Sequence, residues 1–104
     1  KGSESLNNTT DIFGSTPKKY QLYQNFPNPF NPKTNIRFSV PYFSQVSISI
    51  YNIRGELIDI IVNGTYQPGD YIVSIDAQEY VSGVYFYRFE SGMINYTKKL
   101  VIIK

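Results

Sequence analysis

The sequence contains no cysteine and no histidine. Without cysteine, no disulfide can cross-link the fold and no thiol can act as a nucleophile. Without histidine, the chain lacks the usual general base near neutral pH and the commonest metal ligand in proteins. These two absences argue against a hydrolytic or metal-dependent enzyme.

Long apolar runs and a strong net charge are also missing. No apolar run approaches the roughly 20 residues that a membrane helix requires, so we expect no membrane span. The formal net charge of +2 is too small to indicate a nucleic-acid partner without a concentrated basic patch. The N-terminal residues lack the charged-then-apolar pattern of a signal peptide, so we expect a secreted parent protein to carry its export signal upstream.

The residues that are abundant indicate one small β domain. Hydrophobic residues make up 41% of the 104 residues, and ten tyrosines and seven phenylalanines favour strands. Residues 1–19 are instead rich in Ser, Thr, Asn, Gly and Lys, a composition that cannot bury enough surface to offset its ordering entropy. We therefore predict a flexible linker from an upstream domain over residues 1–19 and a folded domain over residues 20–104.

The most unusual stretch is residues 25–32, NFPNPFNP, which we call the Asn-Pro segment. Its three prolines exclude a helix or a central strand. Asn28 and Asn31 each precede a proline, where a short amide side chain favours a turn. Phe26 and Phe30 are unexpected in a linker, so we predict an ordered segment whose two rings pack on the first strands. The alternative is a proline-rich spacer.

Alternating or continuous apolar patterns then predict a series of short strands. They cover residues 33–40, 46–52, 56–62, 70–76, 84–90 and 94–104. Residues 84–90 are apolar on both faces, which predicts a central strand. About seven strands at nearly regular spacing, with no helical periodicity, predict an all-β fold, an antiparallel β-sandwich of immunoglobulin type.

Glycine-containing turns separate these strands. Gly55 is predicted to take the left-handed position after a type I turn, and Gly69 the second central position of a type II turn that begins with Pro68. Turns are also predicted at residues 63–64, 82–83 and 91–92, which places Gly83 in a turn.

No set of residues has the spacing of a catalytic or metal site. The acidic candidates are Asp59, Asp70, Asp76 and Glu79. Most of them lie beside turns, where aspartate is common, and none belongs to a dense Asp/Asn loop. We therefore expect no catalytic residue, no metal and no cofactor.

The aromatic surplus leaves a sugar-stacking platform open. The candidates are Tyr42, Phe43, Tyr51 and Tyr66. The alternative is that most of these rings fill the core or cover strand faces.

The C-terminal strand combines an apolar run with flanking lysines. Lys98, Lys99 and Lys104 surround the aliphatic residues 100–103. Lysines commonly protect a strand edge against aggregation, but the same edge can also dock a partner strand. The residues themselves leave both interpretations open.

Five motifs in order resemble one known family. They are YQNFPNPFNPKTNIRFSVP, YNIRGELI, PGDY, SGVYFYRF and KKLVIIK. Together they resemble the C-terminal sorting domain of type IX secretion cargo proteins, from about Leu22 to Lys104. A similar immunoglobulin-like fold occurs in the flagellar hook-capping protein family.

The resemblance implies a secretion address and not an enzyme. Such a domain ends a larger exported protein of a Gram-negative bacterium, is recognised by the outer-membrane translocon, and is removed near the linker by a cell-surface signal peptidase. The cargo would then be attached to the cell surface or released. By resemblance, the sorting or recognition residues are Asn25, Pro27, Asn28, Pro29, Asn31, Lys98, Lys99 and Lys104. The turn glycines carried over in the same way are Gly55, Gly69 and Gly83.

Two other functional classes remain as alternatives. One is a carbohydrate-binding or adhesion module of a secreted enzyme, and the other is an immunoglobulin-like spacer between domains. A sorting signal is expected to end its reading frame, whereas a spacer is expected to have linker composition at both ends.

Overall fold

The structure, a computed structural model, describes residues 16–104. These residues form seven β-strands: β1 (Gln21–Leu22), β2 (Lys33–Val40), β3 (Ser44–Asn52), β4 (Leu57–Tyr66), β5 (Gly69–Asp76), β6 (Gly83–Ser91) and β7 (Ile94–Ile102). Within residues 16–104 there is no helix that could cross a membrane. Most of the predicted linker lies outside the described residues, so the boundary at residue 20 stays a prediction.

The strands form two antiparallel sheets that pack as a sandwich. One sheet has the order β1-β2-β5 and the other has the order β4-β3-β6-β7. The predicted immunoglobulin-like sandwich is therefore confirmed. Strand β6 pairs with β3 on one side and β7 on the other, which confirms the central position predicted from its two apolar faces.

The core lies between the sheets and follows the period-two pattern of the sequence. The residues predicted to face inward on β2 and β3 are fully buried: Ile36, Phe38, Val40, Val46, Ile48 and Ile50. The ring of Phe38 on β2 lies 5.7 Å from the ring of Phe89 on β6, centroid to centroid, so this pair joins the two sheets. Alternation thus sets which side chains form the core.

The turn predicted at residues 63–64 is wrong, because both residues lie inside β4. Asn63 pairs with Ser47 and Gly64 pairs with Val46, so β4 extends to Tyr66 along the full length of β3. In this way β4 supplies a partner for each β3 residue from Ser44 to Tyr51. Long-range pairing therefore overrides a local turn preference.

The predicted roles of the glycines are confirmed in part. Gly55 has a φ of 82° and donates its N–H to the carbonyl oxygen of Asn52 at 3.0 Å, as a left-handed turn residue would. Gly69 and Gly83 instead begin β5 and β6, with φ values of 156° and 151°. Because the second central residue of a type II turn needs φ near +80°, the type II turn at Gly69 is wrong. Gly92, with φ of 57°, opens the tight β6–β7 hairpin.

Candidate functional site

The Asn-Pro segment lies against the outer edge of β7, the last strand of the four-stranded sheet. Phe30 donates its backbone N–H to the carbonyl oxygen of Val101 at 3.1 Å, and Ile103 donates its N–H to the carbonyl oxygen of Phe30 at 3.0 Å. Phe30 and Ile102 thereby form a short parallel bridge. The two parts of the chain that the sequence marked separately form one surface.

Two side-chain amides extend this contact. The Oδ1 atom of Asn28 accepts the backbone N–H of Val101 at 2.9 Å, and the Nε2 atom of Gln24 donates to the carbonyl oxygen of Lys99 at 2.7 Å. The backbone groups that are covered belong to Lys99 and Val101 of β7 and to Ile103 just past its end, and they point away from β6. The Asn-Pro segment and Gln24 therefore act as a partial fifth strand along half of the edge.

Asn25 anchors the start of the segment. It is 2% exposed, and its Nδ2 group donates to the carbonyl oxygen of Pro27 and to Oγ1 of Thr34, both at 3.1 Å. The hydroxyl group of Thr34 in turn donates to the carbonyl oxygen of Pro27 at 2.7 Å. This network holds the first proline turn onto β2.

Tyr87 connects the same segment to the core. Its hydroxyl group accepts the backbone N–H of Asn25 and donates to the carbonyl oxygen of Tyr23, both at 2.8 Å. Burial disfavours the phenolate form and raises the pKa of Tyr87 to about 12. No local pattern in the sequence indicates this role, because the two partners of Tyr87 lie more than sixty positions away.

The two phenylalanines of the segment have different environments. Phe30 is 3% exposed and belongs to the core, where its backbone pairs with the last strand as well. Phe26 is 79% exposed, although its backbone pairs with Asn35 of β2. The prediction that both rings pack on the first strands is therefore wrong for Phe26.

Four of the five residues of the segment that were assigned by resemblance are exposed. Pro27, Asn28, Pro29 and Asn31 are exposed, whereas Asn25 is buried. The segment thus presents a proline-rich outer surface held by a buried polar anchor. The structure shows where these residues lie, and their role in recognition stays a prediction.

The three C-terminal lysines do not form one cluster. Lys98 and Lys99 are adjacent on β7, so their side chains leave opposite faces of the sheet. Lys98 is half-buried and Lys99 is exposed. Lys104 lies past the strand, where its backbone N–H donates to Oγ of Ser82 at 3.0 Å and its ammonium group donates to the carbonyl oxygen of Gln78.

The aromatic candidates for a sugar platform are dispersed. Tyr66 packs on Phe38, with ring centroids 5.3 Å apart, and the guanidinium group of Arg88 lies 5.1 Å from the ring centroid of Tyr51. Tyr42 and Phe43 are exposed in the loop between β2 and β3. The structure does not bring the four rings to one surface.

Two of the acidic candidates accept hydrogen bonds from side-chain hydroxyl groups. Asp70 accepts from the hydroxyl group of Ser39, and Asp59 accepts from the hydroxyl group of Tyr80 at 3.1 Å. Burial and the neighbouring carboxylate of Asp59 raise the pKa of Tyr80. In the part of the chain that the structure describes, no group of three or more acidic, histidine or cysteine residues could hold a metal ion.

The chain matches one protein-family model. No curated protein matches the chain. A family model described as the secretion system C-terminal sorting domain matches residues 24–103, which include the whole Asn-Pro segment and all but the first of the seven strands. The chain therefore belongs to the family of C-terminal sorting domains of type IX secretion.

Proposed function

We propose that residues 20–104 are the export address of a cargo domain that precedes them in the same polypeptide. In this proposal the type IX outer-membrane translocon recognises the folded domain, and the domain itself catalyses no reaction. The family match supports a sorting role. The residues assigned to recognition are five of the Asn-Pro segment and the three C-terminal lysines: Asn25, Pro27, Asn28, Pro29, Asn31, Lys98, Lys99 and Lys104.

The observation that carries the proposal is the backbone pairing of Phe30 with Val101 and Ile103. This pairing joins the start of the domain to its last strand. The composite surface therefore exists only when the domain is folded, and an unfolded chain with the same sequence would not present it. A folded domain in which distant motifs meet suits recognition of shape by a receptor.

The linker before the folded domain is the expected site of proteolytic processing. We propose that a cell-surface signal peptidase cleaves in or near residues 1–19, which have the composition of a linker. Strand pairing protects the backbone of the domain from β2 onwards. Cleavage before the domain would release the cargo for attachment to the cell surface or for secretion.

A reporter fusion tests this function. A periplasm-directed reporter that carries residues 1–104 at its C-terminus should reach the medium or the cell surface in a host with type IX machinery. The same reporter with residues 1–19 alone should remain in the periplasm. Export of both fusions to the same extent, or of neither, would contradict the proposal.

A further inference from the structure

The Asn-Pro segment leaves part of the β7 edge uncovered, and no other residue of the described range 16–104 pairs with that part. Pairing between β6 and β7 is one-to-one without a bulge, so alternate β7 residues point their N–H and C=O groups away from β6. The observed contacts at Lys99, Val101 and Ile103 identify the odd-numbered residues as the outward set. Asn95 and Thr97 belong to the same set, and within residues 16–104 nothing bonds their outward backbone groups.

A groove runs beside this open edge. Its volume is about 400 Å³, and it lies between β7 and the short strand β1 of the other sheet. Leu22 and the rings of Tyr20 and Tyr96 give it apolar walls, and the Tyr96 hydroxyl group donates to the carbonyl oxygen of Tyr20 at 3.3 Å. Among the described residues, the site thus offers a mixed polar and apolar surface beside the unpaired backbone groups of Asn95 and Thr97.

The positive charge of the groove favours an acidic peptide segment over a second copy of the chain. Lys19 and Lys98 line it, and no aspartate or glutamate of residues 16–104 does. A second copy of the chain, paired edge to edge, would bring the same lysines together, which is unfavourable. An extended segment with acidic side chains would complement them instead.

We propose that the β7 edge at Asn95–Thr97 is a strand-addition site for an extended acidic peptide segment of a partner protein. The segment would add to the four-stranded sheet next to the Asn-Pro segment, with its backbone bonded to Asn95 and Thr97 and its carboxylates near Lys19 and Lys98. Backbone bonds would supply affinity, and the lysines would supply specificity. We assign this partner to the translocon, an assignment that rests on the proposed function. The strand-addition site itself does not depend on it.

Amide hydrogen exchange of the 104-residue chain tests the site directly. A synthetic peptide that alternates valine with glutamate is added, and a peptide that alternates valine with lysine is the matched control. The acidic peptide should slow exchange of the Asn95 and Thr97 amides by about tenfold or more, because a bonded amide exchanges only after opening. The lysine peptide should leave them unchanged.

Two variants at one position separate the backbone from the side chain. Thr97→Pro removes an outward N–H that β6 does not use, whereas Thr97→Val keeps it. Affinity for the acidic peptide should fall by about tenfold or more in Thr97→Pro and stay unchanged in Thr97→Val. If Thr97→Pro does not fold, the double variant Lys19→Glu with Lys98→Glu replaces it and should prefer the lysine peptide.

Three results would overturn the proposal. One is the absence of protection at saturating acidic peptide. Another is protection without peptide that rises with protein concentration, which would assign the edge to a second copy. The third is protection without peptide that disappears in a chain shortened to residues 16–104, which would assign it to the chain's own N-terminal residues.

An export assay distinguishes this inference from the proposed function. If a reporter bearing Thr97→Pro is exported normally although the variant no longer binds the peptide, the strand-addition site stands and its assignment to the translocon is wrong. If the unmodified domain fails to export the reporter, the proposed function is wrong, whatever the peptide binds.

Discussion

The backbone N–H of Phe30 donates a hydrogen bond to the carbonyl oxygen of Val101 at 3.1 Å. Phe30 follows a proline in an irregular segment, whereas Val101 lies near the end of the last strand. Their contact closes half of an otherwise open sheet edge, which reduces the risk of unspecific edge-to-edge association. It also makes the outer surface of the Asn-Pro segment continuous with that of β7.

Asn28 and Asn31 form a matched pair for testing this contact. Asn28→Ala removes the acceptor of the Val101 N–H and should lower the free energy of unfolding by about 1 kcal/mol. Hydrogen exchange at the Val101 amide should accelerate. Asn31 is equally exposed but its side chain makes no hydrogen bond within residues 16–104, so Asn31→Ala should leave both quantities unchanged. Equal effects of the two substitutions would contradict the role given to Asn28.

Tyr87→Phe should destabilise the domain by about 1–3 kcal/mol. The substitution keeps the ring but leaves the N–H of Asn25 and the carbonyl oxygen of Tyr23 without a partner in a buried place. Urea unfolding measures the change. Tyr96→Phe is the control, since its hydroxyl group is at the surface and makes a longer bond of 3.3 Å, and it should change stability by less than about 0.5 kcal/mol.

The buried phenol also predicts how stability depends on alkaline pH. Tyrosine ionises near pH 10 in an unfolded chain, whereas the pKa of folded Tyr87 is about 12. The contribution of this group is therefore complete below pH 10 and is lost as the pH rises towards 12. The urea midpoint of the wild-type chain should fall more steeply over this interval than that of Tyr87→Phe. Parallel slopes would show that Tyr87 does not contribute.

Gly55 and Gly64 form a matched pair that isolates the effect of backbone strain. Neither glycine has a heavy atom within 4 Å of where a Cβ would stand, but only Gly55 of the two has a positive φ, at 82°. Gly55→Val should cost about 1–2 kcal/mol through strain. Gly64→Val lies within β4 and should be neutral, since valine suits a strand. Thermal unfolding of both variants checks the difference.

Local patterns in the sequence predict the sandwich because the alternation of apolar and polar residues within a strand indicates which of its faces is buried. Ile36, Phe38 and Val40 alternate with polar residues and are all fully buried. The turn geometry of Gly55 could be predicted for a similar reason, since a turn is decided within four residues. Asn63 and Gly64 were misassigned because their strand is imposed by pairing with β3.

The candidate site could be predicted only as separate pieces. The prolines marked the Asn-Pro segment and the lysines marked the last strand, but no local pattern encodes the bond between Asn28 and Val101. The opposite exposures of Phe26 and Phe30 also depend on where β7 runs, because only Phe30 lies against it. Long-range contacts of this kind follow from the whole topology.

Replacing the C-terminal lysines in the exported reporter tests most directly whether they belong to the recognition surface. In one variant Lys98, Lys99 and Lys104 become Gln; in its control, which changes the net charge equally, Lys18, Lys33 and Arg54 become Gln. Both variants should keep their stability within about 1 kcal/mol, because charges at the protein surface, including the half-buried Lys98, contribute little. Export should fall only in the C-terminal variant. Normal export of a stable C-terminal variant, or an equal loss in the control, would contradict a recognition surface that includes these lysines.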